Sequence, residues 1–296
     1  MTGPRAGASA SPAPAVMLVV AGLVCQEVGA SIAVLLFPQA GPLGMVLLRL
    51  GFSAVILLAV TRPGVRGHSR RDWAAVAVFG VVLATMNGLF YLALERLPLG
   101  VTVTIEVLGP LTLSIIAAGR ARAFVWAGLA LAGVVALAGG GWDRLDGLGV
   151  AFALGAAAMW ALYILSSARV GAAFAKLDGL AWAMVIGALV AVPFGVVDAG
   201  AALLRPDVLA LGAAVALLSS TLPYAFELIA LRRLAASAFA VLMSLAPAIA
   251  ALAGFVLLGQ HLSWLEVAGI ALVIVASVGA IRGAGRAAAG AVEPVA

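Results

Sequence analysis

The sequence predicts an all-α polytopic membrane protein with ten transmembrane helices, arranged as two inverted five-helix repeats with both termini cytoplasmic. Composition, the spacing of apolar stretches and an internal repeat support this fold class. Of the 296 residues, 65% are hydrophobic and 10% are charged, against about 45–50% and about 25% in soluble domains. Apolar stretches of about 20 residues, enough to cross a bilayer core of about 30 Å, recur along the whole chain.

Turn-forming and charged residues divide these stretches into ten spans. The separators include PQAGP at 38–42, RPGVRGHSRRD at 62–72, GRAR at 119–122 and GGGWDRLDG at 139–147. The fourth and fifth spans are the least clearly separated. The predicted spans are 15–37, 42–61, 73–94, 100–118, 123–140, 147–168, 179–197, 208–230, 237–258 and 264–282.

The remaining segments predict tails and short connections. Residues 1–14 are rich in small residues and proline, lack a convincing cleavage signal and are expected to be a disordered tail, and 283–296 form a C-terminal tail. The first repeat is placed at 15–140 and the second at 147–282. A single cysteine, Cys25, excludes an internal disulfide. His68 and His261 are expected to be solvated loop residues.

The distribution of Lys and Arg between alternate sides of the ten spans predicts the orientation. With the N-terminus inside, 13 basic residues lie on the cytoplasmic side and 3 on the other, as the positive-inside rule requires. The inner set is Arg5, Arg62, Arg66, Arg70, Arg71, Arg120, Arg122, Arg169, Lys176, Arg232, Arg233, Arg282 and Arg286; the outer set is Arg96, Arg144 and Arg205. The net charge of +5 is spread over these loops and indicates topology, not nucleic-acid binding.

An internal repeat relates ALERLPLGVTVTIEVLGPLTLS (93–114) to ALRRLAASAFAVLMSLAPAIAA (230–251) at a constant offset of 137 residues. Five spans per copy is an odd number, so the two halves must be oppositely oriented. Both copies keep a small residue followed by proline, Gly109-Pro110 and Ala246-Pro247. Matched proline breaks in inverted halves are the best sequence indication of a transporter binding site.

The proline breaks free backbone acceptors. Pro110 has no N–H, so the carbonyl of Glu106 loses its helical partner, and Pro247 does the same to Met243. Such carbonyls are tolerated in a membrane only where protein, water or ligand satisfies them. For either proline alone, a simple kink satisfied by a neighbouring helix is an equally good reading; the matched pair favours a functional one.

Four ionisable residues lie inside the predicted spans, Glu27, Arg49, Glu106 and Glu227, and such residues are costly in a bilayer. Arg49, Glu106 and Asn87 all lie about 10 Å below the outer edge at about 1.5 Å per residue, which predicts one polar cluster. A purely structural Arg49–Glu106 ion pair is an open alternative. Glu227 lies nearer the inner end, where water or Arg232 could satisfy it.

Further polar and aromatic residues are candidates to line the same path. Gln26 and Glu27 point about 100° apart, so we expect only one to face the cavity. Asn87 and Tyr91 share a helix face, and Tyr224 occupies the position of Asn87 in the second repeat. Trp160 and Tyr163 are candidates for lining the path, although aromatics at helical spacing are more often packing residues. No catalytic constellation, metal-type cluster or cofactor motif is evident.

The blocks MNGLFYLALERLPLGVTVTIEVLGPLTLS (86–114), WALYILSSARVGA (160–172) and LSSTLPYAFELIALRRL (218–234) resemble EamA-type members of the drug/metabolite transporter superfamily. The chain looks most like the bacterial inner-membrane threonine/homoserine exporters, from QEVGAS (26–31) to the tenth span. The resemblance implies alternating access and proton-linked efflux, with Glu106, Asn87, Tyr91 and Glu227 in or beside the transport path. The chain departs from the family pattern at Ala246-Pro247 (usually Glu-Pro), Gly259-Gln260 (usually Gly-Glu) and Glu27 (usually a small residue).

Together these observations predict an exporter of small amino acids, threonine- or homoserine-like, or related polar metabolites. It would work by proton antiport in the bacterial cytoplasmic membrane. Arg49 would bind the substrate carboxylate, Glu106 and Glu27 the ammonium, and Glu106 and Glu227 the coupled proton. Alternatives are a same-fold transporter of drugs, nucleotide-sugars or purines, an uncoupled facilitator, and a membrane enzyme or non-transporting subunit. A monomer and a homodimer are both open.

Overall fold

The computed structural model describes residues 13–118, 121–137, 146–231, 233–234 and 236–290, and all regular structure in these ranges is helical. Residues 1–12 and 291–296 and most of the GGGWDRLDG connection lie outside the described residues; the described parts of the two predicted tails, 13–14 and 283–290, are helical. The helices are α1 Ala13–Thr61, α2 Arg70–Leu94, α3 Leu99–Glu106, α4 Leu108–Ala118, α5 Ala121–Leu137, α6 Gly147–Ala173, α7 Asp178–Ala199, α8 Pro206–Ala216, α9 Leu222–Leu231, α10 Ala236–Met243, α11 Ala246–Leu258 and α12 Trp264–Gly290.

The lengths and surfaces of these helices are those of a polytopic membrane protein. Within the described ranges, 8 helical segments are long and apolar enough to cross a membrane, and the apolar stretch Phe124–Leu137 of α5 is shorter. Large apolar side chains such as Phe124, Val197 and Trp264 are exposed on outward helix faces. Exposed apolar surface of this kind is expected where lipid is the solvent.

The longest helix, α1, contains the first two predicted spans and is broken at Gly41, whose backbone is non-helical (φ 63°, ψ 164°). A positive φ favours glycine, and Pro42 then begins a new helical arm with a preset φ. The Asp198 carboxylate of α7 accepts from the Leu43 N–H (2.7 Å) and Gly44 N–H (3.2 Å), capping that arm. PQAGP is therefore a sharp kink between a first arm, 13–40, and a second arm, 42–61.

The connection before α2 is ordered by caps and ring stacking. Ser69 and Asp72 form a capping box, and hydrogen bonds from Ser69 hold the pKa of Asp72 below its ordinary value. His68 stacks on Phe174, with ring centroids 3.9 Å apart. His68 lies in the connection, as predicted, but it is only partly exposed because its ring stacks on Phe174 at the end of α6; His261 is exposed.

Two of the predicted spans are interrupted helices. The fourth consists of α3 and α4, which meet at Val107, and the ninth consists of α10 and α11, which meet at Ser244 and Leu245. The eighth is continuous from α8 to α9 through a π-helical turn, Leu217–Thr221. In these three spans the described backbone is therefore irregular at Val107, at Ser244 and Leu245, and at Leu217–Thr221.

Polar contacts tie helices together at the side predicted to be outer. The Gln260 side-chain carbonyl accepts from the Leu99 N–H (3.0 Å), capping α3, whose preceding residue Pro98 makes no side-chain cap. Asp146 caps α6 through the Leu148 and Gly149 N–H groups and pairs with Arg96 at 2.9 Å. These bonds hold the pKa of Asp146 below its ordinary value, and the bond from the Gly149 N–H has the largest effect.

The packing brings both halves of the chain around one centre. α1 packs against α7, α8 and α9, α2 against α6 and α7, and α3 against α11. The largest core cluster includes Leu23, Leu50, Leu83 and Met184, all nearly or fully buried. The first and second halves of the chain are thus interleaved.

Candidate functional site

A central cavity of about 130 Å³ lies among α1, α2, α3, α6, α9 and α10. Every residue predicted to bind substrate lines it except Tyr91, which lies directly behind Arg49. The two residues Gln26 and Glu27 both line it, in contrast to the expectation that only one would, because the cavity extends around more of the helix than one side chain covers. Its lining is Gln26, Glu27, Ala30, Arg49, Met86, Asn87, Phe90, Glu106, Trp160, Tyr163, Tyr224, Glu227 and Met243.

Arg49 is held by the π-helical turn and by Tyr91. Its guanidinium donates to the Ser219 carbonyl (3.0 Å), the Ser220 hydroxyl (3.3 Å) and the Tyr91 hydroxyl (3.4 Å). It also lies 5.7 Å from the centre of the Tyr91 ring. These bonds use three of the five N–H groups of a guanidinium, so donors remain for a ligand in the cavity.

The Arg49–Glu106 ion pair, the structural alternative left open by the sequence, does not form; among the described residues, ion pairs occur at Arg96–Asp146 and Arg205–Asp207. Arg49 and Glu106 line the same cavity and interact electrostatically across it. Neutral oxygens hold the arginine instead. The Arg49 guanidinium and the Glu106 carboxyl group therefore both line the cavity, and they are not hydrogen-bonded to each other.

Glu27 is the most deeply enclosed carboxyl group at the site. Its side chain is 1% exposed and its Oε2 atom has no hydrogen-bond partner. It interacts electrostatically with Glu106 and with Arg49. Buried polar atoms in proteins are almost always hydrogen-bonded, so this oxygen requires an explanation.

Glu106 ends α3 at the break before Pro110. Pro110 lacks the N–H that would bond the Glu106 carbonyl, whereas the next helical bond, from the Leu111 N–H to the Val107 carbonyl, is present at 3.2 Å. Gly109 lies against the Ala157 carbonyl of α6, where an added β-carbon would collide with backbone. The break is therefore packed tightly on one side while the Glu106 side chain faces the cavity on the other.

Asn87 and Tyr91 are both buried on α2. The Asn87 side-chain amide donates to the Leu83 carbonyl at 2.8 Å, which leaves its carbonyl oxygen to face the cavity that it lines. The Tyr91 ring packs against Phe37 and Phe90, with centroids 5.7 and 6.0 Å away. These three rings form an aromatic layer toward the side predicted to be outer.

Tyr163 and Glu227 lie where the central cavity adjoins two others. The Lys176 cavity, about 190 Å³, is lined by Ser167 and Lys176 among others. The Pro110 cavity, about 370 Å³, is lined by Pro110, Trp160 and Met243 among others. Both include Tyr163 and Glu227 in their linings. Arg232, the anticipated partner of Glu227, lies outside the described residues.

The cavity lining contains pairs of residues separated by 137 positions. The pairs are Gln26 and Tyr163, Asn87 and Tyr224, Phe90 and Glu227, and Glu106 and Met243. In two pairs a carboxyl group is matched by an apolar side chain. The offset found in the sequence thus recurs around the cavity, whereas the charge is not symmetric.

Four residues that line the cavity were not predicted from the sequence to do so, namely Ala30, Met86, Phe90 and Met243. Apolar residues in an apolar span carry no signal of their own. Applying the 137-residue offset to Glu227 would have indicated Phe90, and applying it to Glu106 would have indicated Met243. In the part of the chain that the structure describes, no group of three His, Cys, Asp or Glu side chains is placed to hold a metal ion.

Comparison with known proteins identifies similar chains. The model of the EamA-like transporter family matches residues 147–282. The threonine/homoserine exporter RhtA of Escherichia coli (strain K12) is 41% identical over 268 residues, covering 90% of each chain. The protein of the same name from Salmonella typhimurium (strain SL1344) is 39% identical over 268 residues. One solved crystal structure has a TM-score of 0.61 at 18% identity, over 93% of this chain and 99% of the other, a likeness of fold alone.

Proposed function

Because this chain belongs to the EamA-like transporter family, we propose that it exports small amino acids across the bacterial cytoplasmic membrane by proton antiport with alternating access. Its relatives of about 40% identity are named threonine/homoserine exporters. The proposed cargo is therefore a small polar amino acid. The ion whose movement drives this export is the proton.

The observation that carries this proposal is the charge composition of the central cavity. Arg49 keeps unused N–H donors there, which suit a substrate carboxylate. Glu106 and Glu27 line the same cavity and suit an ammonium group. An α-amino acid is the simplest small molecule that carries both groups at once.

The proposed architecture is ten spans in two inverted repeats. It is supported by the two arms of α1, which provide two spans within one helix, and by the shorter α5, which would add the fifth. The family model covers residues 147–282, the bounds of the proposed second repeat. The paired residues around the cavity are expected where two inverted halves meet.

Alternating access is supported by the unequal sides of the cavity. The aromatic layer of Phe37, Phe90 and Tyr91 lies toward the proposed outer side. The Lys176 and Pro110 cavities adjoin the central cavity toward the proposed cytoplasmic side. We infer that this arrangement corresponds to the state that receives cargo from the cytoplasm.

Proton coupling is assigned to Glu106, with Glu227 at the junction of cavities as the second candidate. A carboxyl group in a poorly hydrated cavity can exchange a proton for a cationic group of the substrate. Replacing Glu106 with Gln keeps the shape and removes the exchangeable proton. In proteoliposomes preloaded with homoserine, Glu106→Gln should abolish the acceleration of efflux by an inwardly directed proton gradient.

The matched control is Glu95→Gln, which alters an exposed carboxyl group at the end of α2. It should retain efflux that depends on the proton gradient. Full gradient-dependent efflux by Glu106→Gln would remove Glu106 from the coupling role. Wild-type efflux that ignores the gradient would favour an uncoupled facilitator.

The size of the cavity supports a small cargo over nucleotide-sugars. At about 130 Å³, it is below the range of about 300–1,000 Å³ typical of sites for drug-sized ligands. Competition by unlabelled drugs, purines and amino acids against homoserine efflux separates these cargo classes. Only small amino acids should compete.

A further inference from the structure

The central cavity carries more acidic than basic groups. The described residues lining it include Glu27, Glu106 and Glu227 as acids and Arg49 as the base. A zwitterionic cargo brings one carboxylate and one ammonium and so leaves this excess unchanged. A cargo with one additional cationic group would reduce it.

Glu27 is the acid that is left without a partner. Its Oε2 atom is buried and has no hydrogen-bond partner in the protein. The Arg49 N–H groups that bond within the protein go to Ser219, Ser220 and Tyr91. The Asn87 amide goes to the Leu83 carbonyl. A ligand in the cavity that Glu27 lines could supply the donor that this oxygen lacks.

The three charged contacts can be assigned to three groups of one molecule. Arg49 suits a carboxylate, because the guanidinium presents parallel N–H donors. Glu106, beside the carbonyl freed by Pro110, suits the α-ammonium group. Glu27 suits a second ammonium group, which has three donors and no acceptor.

Resting on the proposed export function, we propose that the preferred cargo of this protein is a short diamino acid, with Glu27 binding the side-chain ammonium group. The selectivity lies in Glu27 because this oxygen has no partner in the protein. A hydroxyl group in the same place offers a single, uncharged donor. The protein therefore discriminates between side chains of equal size by charge.

A pair of cargo molecules isolates this difference. Homoserine and 2,4-diaminobutyrate have the same carbon skeleton, and the hydroxyl group of the first is replaced by an ammonium group in the second. Proteoliposomes containing the full chain are preloaded with both in equal amounts, and the efflux rate of each is measured. Wild type should export diaminobutyrate about tenfold faster or more at subsaturating load, the ratio expected of a charge-assisted hydrogen bond.

Glu27→Gln then tests the residue. The ratio of diaminobutyrate efflux to homoserine efflux should fall by about tenfold, because only diaminobutyrate loses a charge-assisted hydrogen bond. Glu27→Ser, which introduces a small side chain, should give the same loss of preference, and Glu95→Gln should leave the preference unchanged. Each purified variant should elute from gel filtration as a single peak at the wild-type position, which shows that it is folded.

The outcomes separate the two proposals. If wild type exports homoserine as fast as diaminobutyrate or faster, the cargo inference is overturned and the export function stands. If Glu27→Gln lowers efflux of both amino acids equally, Glu27 serves transport in general and the inference is also overturned. If wild type exports neither molecule nor any other amino acid, the proposed function fails, and the inference fails with it.

Discussion

At the scale of single residues, the arginine in the membrane is stabilised by neutral oxygens. Arg49 donates to a backbone carbonyl and to two hydroxyl groups, so its charge is bonded without being cancelled. A carboxylate partner would have neutralised it and competed with cargo. The arrangement keeps a positive charge inside the bundle and leaves it available to an anionic group.

Tyr91→Phe tests this support. Tyr91 is fully buried, and its loss removes one acceptor from Arg49 without changing the ring packing. The cost of an unpaired buried donor is about 1–3 kcal/mol, so the apparent KM for homoserine should rise about fivefold or more. The measurement is the concentration dependence of efflux from proteoliposomes.

Thr112→Val is the matched control, because it removes an exposed hydroxyl group that bonds only within its own helix. Its KM should equal that of wild type. An unchanged KM in Tyr91→Phe would show that Ser219 and Ser220 alone suffice to position Arg49.

The residues that were predictable from the sequence are those whose chemistry conflicts with lipid. Glu27, Arg49 and Glu106 stand out because an ionisable group in an apolar span is costly. The partners of Arg49 were not predictable, since the Ser219 carbonyl is 170 positions away in the chain and belongs to a π-helical turn. Periodicity does not reveal such turns. Phe90 and Met243 were hidden for the opposite reason, because their type matches their surroundings.

At the scale of elements, the break between α3 and α4 depends on a close approach to α6. Gly109→Ala should lower the stability of the folded protein, since the new β-carbon meets the Ala157 carbonyl and backbone must shift. Overpacking of this kind costs about 1–3 kcal/mol. The measurement is the melting temperature of the purified protein in detergent, followed by tryptophan fluorescence.

Gly128→Ala provides the comparison, because a β-carbon at Gly128 of α5 meets nothing within 4 Å. It should leave the melting temperature unchanged or raise it slightly, as alanine favours helix. Equal melting temperatures for the two variants would contradict the importance of the α4–α6 contact.

The second arm of α1 depends on its cap. Asp198→Ala should destabilise the protein by about 0.5–2 kcal/mol, the usual cost of losing a helix N-cap, because the Leu43 and Gly44 N–H groups lose their acceptor. Asp198→Asn keeps an oxygen at this position and should cost less. The melting temperature again measures the difference, and an Asn variant as unstable as the Ala variant would argue against capping.

Helix breaks were predicted better than helix continuity. Prolines at matching places in the two halves indicated the interruptions after Glu106 and Met243. PQAGP contains three turn-forming residues and so predicts a connecting loop, whereas the structure has a kink at Gly41. Only the backbone could show that a single residue suffices for the turn, since the distant Asp198 supplies the cap.

At the scale of the whole molecule, the distribution of basic residues predicts that both termini are cytoplasmic. A green fluorescent protein fused to the C-terminus should therefore fluoresce. Alkaline phosphatase fused at the same place should be inactive, because it folds only outside the cytoplasm. The reverse pattern would overturn the orientation and with it the assignment of the aromatic layer to the outer side.

A phosphatase fusion in the 200–205 connection, between α7 and α8, is the internal control. This segment lies on the side predicted to be outer, so the fusion should be active. An inactive fusion there, together with an inactive C-terminal one, would indicate a misfolded chain instead of an inverted orientation.

The kink in α1 has a mechanical consequence. Glu27 lies on the first arm and Arg49 on the second. An acidic and a basic residue of the cavity are therefore carried by two helical arms that are joined at Gly41. Asp198 bonds the start of the second arm to α7. Rotation about the backbone torsions of Gly41 therefore changes the distance between these two charges. A molecule that bridges Glu27 and Arg49 favours the kink angle at which this distance matches its own length.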